Sequence, residues 1–375
     1  MEATEPQPEA LSDETTDLGP EDLEEIEEPT PNPEPVTYTG TDFDVEGLVR
    51  RLSRDDIVIP TFGINEDLIE TDRFQRRFVW RRAQMDRFIE SLLLGYPIPG
   101  IFLVQQADRR YLVLDGQQRL RTLADFYNGE HDGRPFQLQA VGEEYKGLAY
   151  STLSAEQKRT LDNTFIQATI VKTDGSTESL DAVYQVFERL NSGGTQLTAH
   201  EIRVALYAGP FIDFLRDVNA LSQWRELYGG VSARLRDQEL ILRIIALYVS
   251  PGTYRRPLKK YLNDFASRHR FLEDLPVETI LERVAQASEL LLAGPGQSAL
   301  RLGGRQVNAA LTEAIFVGLT RRLDAEHPPT PEELQGALDR MHEDPGFVSA
   351  ISRATADEES VRTRLAVATQ AFSTT

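Results

Sequence analysis

The chain has 375 residues, enough for two packed domains, and its 60 Asp and Glu against 40 Lys and Arg give a formal charge of −20. It has no cysteine, which excludes disulfides, thiolate zinc sites, iron–sulfur clusters and thiol nucleophiles and suits a reducing cytoplasm. The longest apolar run, LILRIIALYV at 240–249, is short and contains Arg243, so no membrane-spanning helix is expected, and the acidic, Pro-rich start does not read as a secretory leader.

The negative charge is unevenly spread. Residues 1–41 hold 13 Asp and Glu and no Lys or Arg, which leaves 47 acidic against 40 basic residues, a net of −7, in the remainder. Global charge is therefore a poor guide to the partner. Residues 1–42, rich in Pro and Glu and poor in apolar side chains, cannot repay the entropy of folding and are expected to form a disordered acidic tail. Its bland role is to solubilise. Its sharper role is to mimic nucleic acid and compete for a basic groove in the folded body.

Residues 43–176 read as a small α/β domain. DIVIPTF is a strand by composition; QMDRFIESLLLG is a helix, with Met85, Phe88, Ile89, Leu92 and Leu93 at helical spacing and Gly95 and Pro97 as its stop. GIFLVQQ and RRYLVL flank a short polar turn and predict a hairpin, and FQLQAV and FIQATIVK supply two more strands with the helical SAEQKRTLDNTF between them. Residues 177–375 read as an all-α domain, from LDAVYQVFERL, AHEIRVALY and PFIDFLRDV through DQELILRIIALYV, LKKYLNDFASRH and VETILERVAQASELLL to three or so further helices. The fold class expected for the whole is α+β.

Four stretches carry candidate chemistry. In VLDGQQRLRTL (113–123), a strand feeds a helix through Asp115 and Gly116, which aims unpaired backbone N–H groups and the positive end of the helix dipole at one point, the usual geometry of a phosphate site. Arg119 adds a fixed guanidinium fork, Asp115 is a helix cap or a Mg²⁺ ligand, and Gln117 or Gln118 is suited to orient a water. A capped helix with Gly in a tight turn accounts for much of this, but two adjacent amides exceed what a cap needs.

RFQRRFVWRR interleaves Arg73, Arg76, Arg77, Arg81 and Arg82 with Phe74, Phe78 and Trp80, a mixture suited to phosphate pairing and base stacking, or else to aromatic core residues with a solvated basic edge. FERLNSGGTQLTAHEIR (187–203) turns through Gly193 and Gly194, with Thr198 and Glu201 spaced as a capping box and Arg189 and Arg203 on either side as a second wall for an anion. RLRDQELILRIIAL places Arg236, Glu239 and Arg243 on one face of an apolar helix and reads as ion pairs within the helical half. No phosphate-binding GxxxxGK[ST] loop, HExxH or GxSxG motif is present, and His131, His200, His269, His327 and His342 lack metal-ligand spacing.

Together, FQRRFVW, LLLGYPIPGIFL, LDGQQRLRTL, FERLNSGGTQLTAHEIR and RDQELILR resemble, in order and spacing from about residue 45 to 270, the N-terminal domain family of GmrSD-type, modification-dependent restriction endonucleases. That family is related to the ParB/sulfiredoxin-like nucleotide-binding superfamily, and Asp-Gly-Gln-Gln-Arg between a strand and a helix is its hallmark.

The resemblance implies a ParB-like α/β domain that binds and hydrolyses an NTP with Mg²⁺, coupled to restriction of foreign or modified DNA. Carried over by position, Asp115, Gly116, Gln117, Gln118 and Arg119 form the nucleotide site, joined by Gln75 and Arg76 and by Asn191, Gly193, Gly194 and Thr195. Arg73, Arg77, Arg81 and Arg82 are the candidate DNA contacts. Where the family often has Pro after its Gln-Arg pair this chain has Arg77, which makes the segment more basic. Restriction proteins of this type join or pair the NTPase part with a His-Asn-His nuclease part, and residues 271–375, with only His327 and His342, lack that pattern. The expectation is therefore a cytoplasmic regulatory NTPase subunit acting with a separate nuclease subunit, its self-association left open. The rival expectation is a non-catalytic adaptor that senses nucleotide or DNA and recruits a partner through the helical half.

Overall fold

The computed structural model describes residues 35–60, 80–106, 108–190, 197–232, 234–325 and 327–373. The fold is α+β, with one five-stranded mixed sheet and many helices. The chain divides into two compact units, Pro29–Asp213 with Asn263–Leu275, and Phe214–Leu262 with Pro276–Thr375.

The first unit is built on strands β1 (Thr37–Asp44), β2 (Ile57–Val58), β3 (Ile101–Gln105), β4 (Tyr111–Asp115) and β7 (Phe165–Lys172), ordered β1-β7-β3-β4-β2. β5 (Glu130–His131) and β6 (Arg134–Pro135) form a separate two-residue ribbon. β3 and β4 are the expected hairpin, antiparallel with Gln105 opposite Tyr111, while β3 runs parallel to β7 and β2 parallel to β4.

Strand alternation sends Ile101, Leu103 and Val113 to one face and Val104, Leu112 and Leu114 to the other, and all six are buried. On the first face they meet three helices: α1 (Val45–Leu52) through Val45 and Leu48, α2 (Arg82–Leu93) through the five apolar residues that its sequence spacing singles out, and α3 (Gln117–Asn128) through Leu120, Leu123 and Phe126. α4 (Ala155–Asp162) adds Leu161, and α5 (Thr177–Leu190) and α6 (Ala199–Leu206) complete the unit's helices up to Leu206.

Two expectations need correction. Residues 37–42, assigned by composition to the tail, form most of β1, which pairs antiparallel with β7 from Thr37 opposite Lys172 to Asp44 opposite Phe165. Thr and Tyr at alternate positions favour an extended edge strand there. FQLQAV does not form a sheet strand. Phe136 and Leu138 plug the core, and the buried carboxylate of Asp86 accepts the Gln139 and Ala140 N–H groups at 3.0 Å each, replacing a neighbouring strand.

The second unit is helical. Its elements run from α7 (Pro210–Asn219), which begins in the first unit's sequence, through α8 (Ser222–Tyr228), α9 (Arg236–Val249), α10 (Leu258–Arg268), whose residues from Asn263 onward belong to the first unit, α11 (Val277–Ala293), α12 (Ala309–Ala325), α13 (Pro331–Glu343) and α14 (Pro345–Ala350) to α15 (Glu358–Ser373). α12 is buried from Ala309 to Thr320, and Trp224 packs edge-on against its Phe316. Arg243 pairs with Glu313 of α12, so the partner of this predicted ion pair comes from another helix. Among the described residues no helix is long and apolar enough to cross a membrane.

Candidate functional site

The Asp-Gly-Gln-Gln-Arg run folds as its residue types dictate. β4 ends at Asp115, Gly116 is the N-cap of α3 with φ of 95°, and Gln117 opens the helix. Glycine is required there twice over. Its backbone is left-handed, and an added Cβ would stand 2.5 Å from Ile101 Cγ2. The cap therefore carries no side chain, and Asp115 does not supply one from outside, so of the two roles open to Asp115, cap or Mg²⁺ ligand, the cap is not formed. At the other end, Gly129 closes α3 in the same left-handed region.

Asp115 instead faces Arg119, whose Nη2 donates to Asp115 Oδ2 at 2.8 Å and to the Gly100 carbonyl at 3.0 Å. The Arg119 side chain is 13% exposed and the Asp115 side chain 50%. Arg119 Nε is buried with no hydrogen-bond partner among the described residues. A desolvated guanidinium N–H left unpaired is costly, and a phosphate oxygen is the acceptor that suits it. Gly100 opens the GIFLVQQ strand and lies in LLLGYPIPGIFL, and its residue type carries no sign of a site role. Its only signal is its place directly after Pro97-Ile98-Pro99 at the mouth of β3.

The two glutamines are not equivalent. Gln118 Oε1 accepts the Trp80 backbone N–H at 3.1 Å, so this amide ties the end of the basic, aromatic stretch to the first turn of α3. Gln117 is half-buried in the same turn and has no side-chain partner among the described residues.

Of the basic stretch itself, Arg73, Gln75, Arg76 and Arg77 lie outside the described residues. Trp80 packs edge-on against Phe88 with ring centres 5.4 Å apart, which is the core role its aromatic character allowed. Arg81 is exposed at the start of α2, and its N–H donates to Gln84 Oε1 at 2.8 Å. Arg82 is held by the fold: Nε donates to Asp86 Oδ1 at 3.0 Å, Nη2 donates to the Gln137 carbonyl at 2.9 Å, and the guanidinium lies 3.7 Å from the centre of the Phe136 ring.

Asn191, Gly193, Gly194 and Thr195 also lie outside the described residues. The helix that follows starts as expected, with Glu201 N–H donating to Thr198 Oγ1 at 3.1 Å and Thr198 N–H donating to Glu201 Oε2 at 2.5 Å. Arg189 is exposed, but Arg203 is buried and its Nε donates to Asn263 Oδ1 at 2.9 Å. Arg203 is thus part of an internal polar network, and the second anion wall loses that residue.

The fit to Mg²⁺ rests on one carboxylate. Among the described residues no three His, Cys, Asp or Glu side chains gather as a metal cage, and Asp115 Oδ2 is engaged by Arg119. Half-exposed Asp115 matches the binding mode in which one carboxylate, waters and the substrate's own phosphates share the ion.

Comparison with known proteins agrees with the motifs. No curated protein matches the chain. Residues 61–208, which hold the Asp115–Arg119 junction, its Gly100 anchor and the Thr198 capping box, match the GmrSD restriction endonuclease N-terminal domain family, the one that the chain's motifs resemble.

Proposed function

We propose that the β4–α3 junction is a phosphate-binding site for an NTP and that this chain is a regulatory, NTP-hydrolysing component of a DNA-restriction or phage-defence system, acting with a separate nuclease subunit. The observation that carries the reading is Arg119, a mostly buried guanidinium with an unpaired Nε, standing at a helix N-terminus capped only by glycine. The N–H groups of that first turn and the Arg119 fork would grip phosphate oxygens. Bound Mg²⁺ would neutralise phosphate charge, with Asp115 as its protein ligand. Gln117, whose amide is uncommitted, would orient the attacking water, while Gln118 holds Trp80 in place. Gln75, Arg76 and the Asn191–Thr195 turn would complete the phosphate site, and Arg73, Arg77 and Arg81 would meet DNA.

One observation favours the adaptor reading. Asp115 is already paired to Arg119, an arrangement that suits a site that binds nucleotide and releases it unchanged.

Phosphate release from each of the four NTPs with Mg²⁺, with and without plain and modified DNA, tests both. The expected result is turnover that Arg119→Ala and Gln117→Ala abolish with the circular dichroism spectrum intact. Unchanged turnover in both variants overturns the mechanism, and Arg119-dependent binding without release selects the adaptor.

A further inference from the structure

A cavity of about 500 Å³ opens at the other end of β4, lined by Arg50, Arg51, Arg54, Asp56, Arg109 and Tyr111. Tyr111 and Asp115 are the first and last residues of that strand, so this cavity and the phosphate junction are separated by about 13 Å at ~3.3 Å per residue. Arg50, Arg51, Arg54 and Asp56 precede the segment that matches the restriction-endonuclease domain, residues 61–208. The cavity therefore lies only partly within that match.

Its walls are stitched together by main-chain bonds. Asp56 N–H donates to the Arg51 carbonyl at 2.9 Å, and Tyr111 N–H donates to the Asp56 carbonyl at 2.9 Å, which fixes the loop 53–56 between the end of α1 and the start of β4. Arg109 N–H donates to the Gln106 carbonyl at 2.9 Å, and its backbone is left-handed at φ of 70°. Arg51 lies 5.2 Å from the centre of the Phe43 ring, and that ring meets Tyr111 edge-on. The cavity thus has a rigid rim with an aromatic backing.

Four arginines line this space with one aspartate among them, in a chain whose net charge is −20. None of the four has an ion-pair partner among the described residues. The nearby Asp108 does not neutralise Arg109, because its Oδ2 accepts Arg110 Nε at 2.6 Å. The α1 C-terminus accounts for Arg50 and Arg51, which complement the negative end of the helix dipole. It accounts for neither Arg54 nor Arg109. Four like charges around one cavity repel unless a polyanion lies between them, and guanidinium is the side chain suited to phosphate oxygens.

We infer that this cavity seats the phosphodiester backbone of duplex DNA, as a contact surface separate from the NTP junction. The inference rests on the reading that the protein acts on DNA, and it adds Arg54 and Arg109 as principal backbone contacts. Such contacts release counterions and so set the salt dependence of binding.

The test is fluorescence anisotropy of a fluorescein-labelled DNA duplex, titrated with the full chain from ~50 to ~200 mM salt. The proteins compared are the native chain, Arg54→Ala/Arg109→Ala and Arg54→Lys/Arg109→Lys. Both arginines are exposed, so the thermal melt of each variant should match the native one. The expected result is that the alanine pair weakens binding by roughly tenfold or more near 0.1 M salt and makes the log–log salt slope shallower by ~2, while the lysine pair restores the slope. Native DNA binding with the same affinity and slope in the alanine pair overturns the inference and leaves the DNA reading standing. If the native chain binds no DNA, both fall. Loss of pyrophosphate binding in the alanine pair with DNA binding unchanged assigns the cavity to free phosphates and also overturns it.

Discussion

The Trp80 backbone N–H donates to Gln118 Oε1 at 3.1 Å, which joins two motifs that are 38 residues apart. Through this bond the end of the basic, aromatic stretch is held against the first turn of the helix that carries Arg119. Trp80 is only half-buried, so losing its acceptor should cost about 1–2 kcal/mol. Gln118→Ala is expected to lower the urea midpoint accordingly, and Gln118→Glu, which keeps an oxygen in place, to recover most of it. Gln117→Ala, which removes no such bond, should leave the midpoint near native. Equal losses in the two alanine variants would contradict the division of labour between these glutamines.

Gly116 offers a sharper contrast. Gly116→Ala must place a Cβ 2.5 Å from Ile101 Cγ2 on a backbone with φ of 95°, so strain and overpacking together should cost about 2–4 kcal/mol. Gly129 at the far end of the same helix is also left-handed, at φ of 78°, but its Cβ would meet nothing within 4 Å. Gly129→Ala should cost only about 1 kcal/mol. Denaturation midpoints of the two variants measure the difference directly.

Much of the first unit was legible because local chemistry and tertiary role agree. Met85, Phe88, Ile89, Leu92 and Leu93 mark a helix face, and that face is buried. Strand, Asp-Gly turn and Gln-Gln-Arg helix follow one another as read. Legibility fails where a distant partner decides. FQLQAV alternates like a strand, yet a carboxylate more than 50 residues away takes its N–H groups. Arg203 looks like a flanking cation in sequence and is turned inward by Asn263. The arginine cavity is assembled from residues 50–56 and 109–111, and no window of sequence contains both. The Asp115–Arg119 pair, at i and i+4 across a strand–helix junction, is legible in the spacing, although the aspartate by itself fits a helix cap or a Mg²⁺ ligand equally well.

Tyr127 and Tyr150 stack with ring centres 4.0 Å apart, and both hydroxyls donate to Asp162, at 2.5 Å and 3.2 Å to Oδ1. Burial, and then the Asp162 carboxylate, push the Tyr150 phenol up to about 12 and raise Tyr127 as well. A phenol raised in the folded state favours folding fully below its unfolded value near ~10, and that contribution is lost as pH climbs from there through the folded value. Ultraviolet titration of tyrosinate should therefore show these two rings ionising later than a free tyrosine. Asp162→Asn should shift them back only in part, since burial persists. A titration unchanged by Asp162→Asn would remove the carboxylate from the explanation.

In the helical unit, Glu313 on α12 is fully buried between Arg243 of α9 and Arg364 of α15, whose Nη2 donates to Oε2 at 2.5 Å. Burial alone would raise the carboxyl, but the two guanidinium groups outweigh it and hold Glu313 below the ordinary carboxylate range. The sign follows. A carboxyl lowered in the folded state stabilises the fold above its unfolded value near ~4.3, and the contribution is lost as pH falls through the folded value. Glu313→Gln leaves two arginines buried with no counter-charge and should cost about 3–5 kcal/mol at neutral pH. Because the variant has no carboxyl to protonate there, its stability should also fall less steeply than the native protein's between pH ~5 and ~3. Urea midpoints at neutral and acid pH measure both effects. A large loss at neutral pH with an unchanged acid limb would mean that Glu313 is valued for shape and hydrogen bonding rather than for its charge. A triple replacement, Glu313→Met with Arg243→Leu and Arg364→Leu, would then show whether apolar packing can take the place of the whole ion-pair triad.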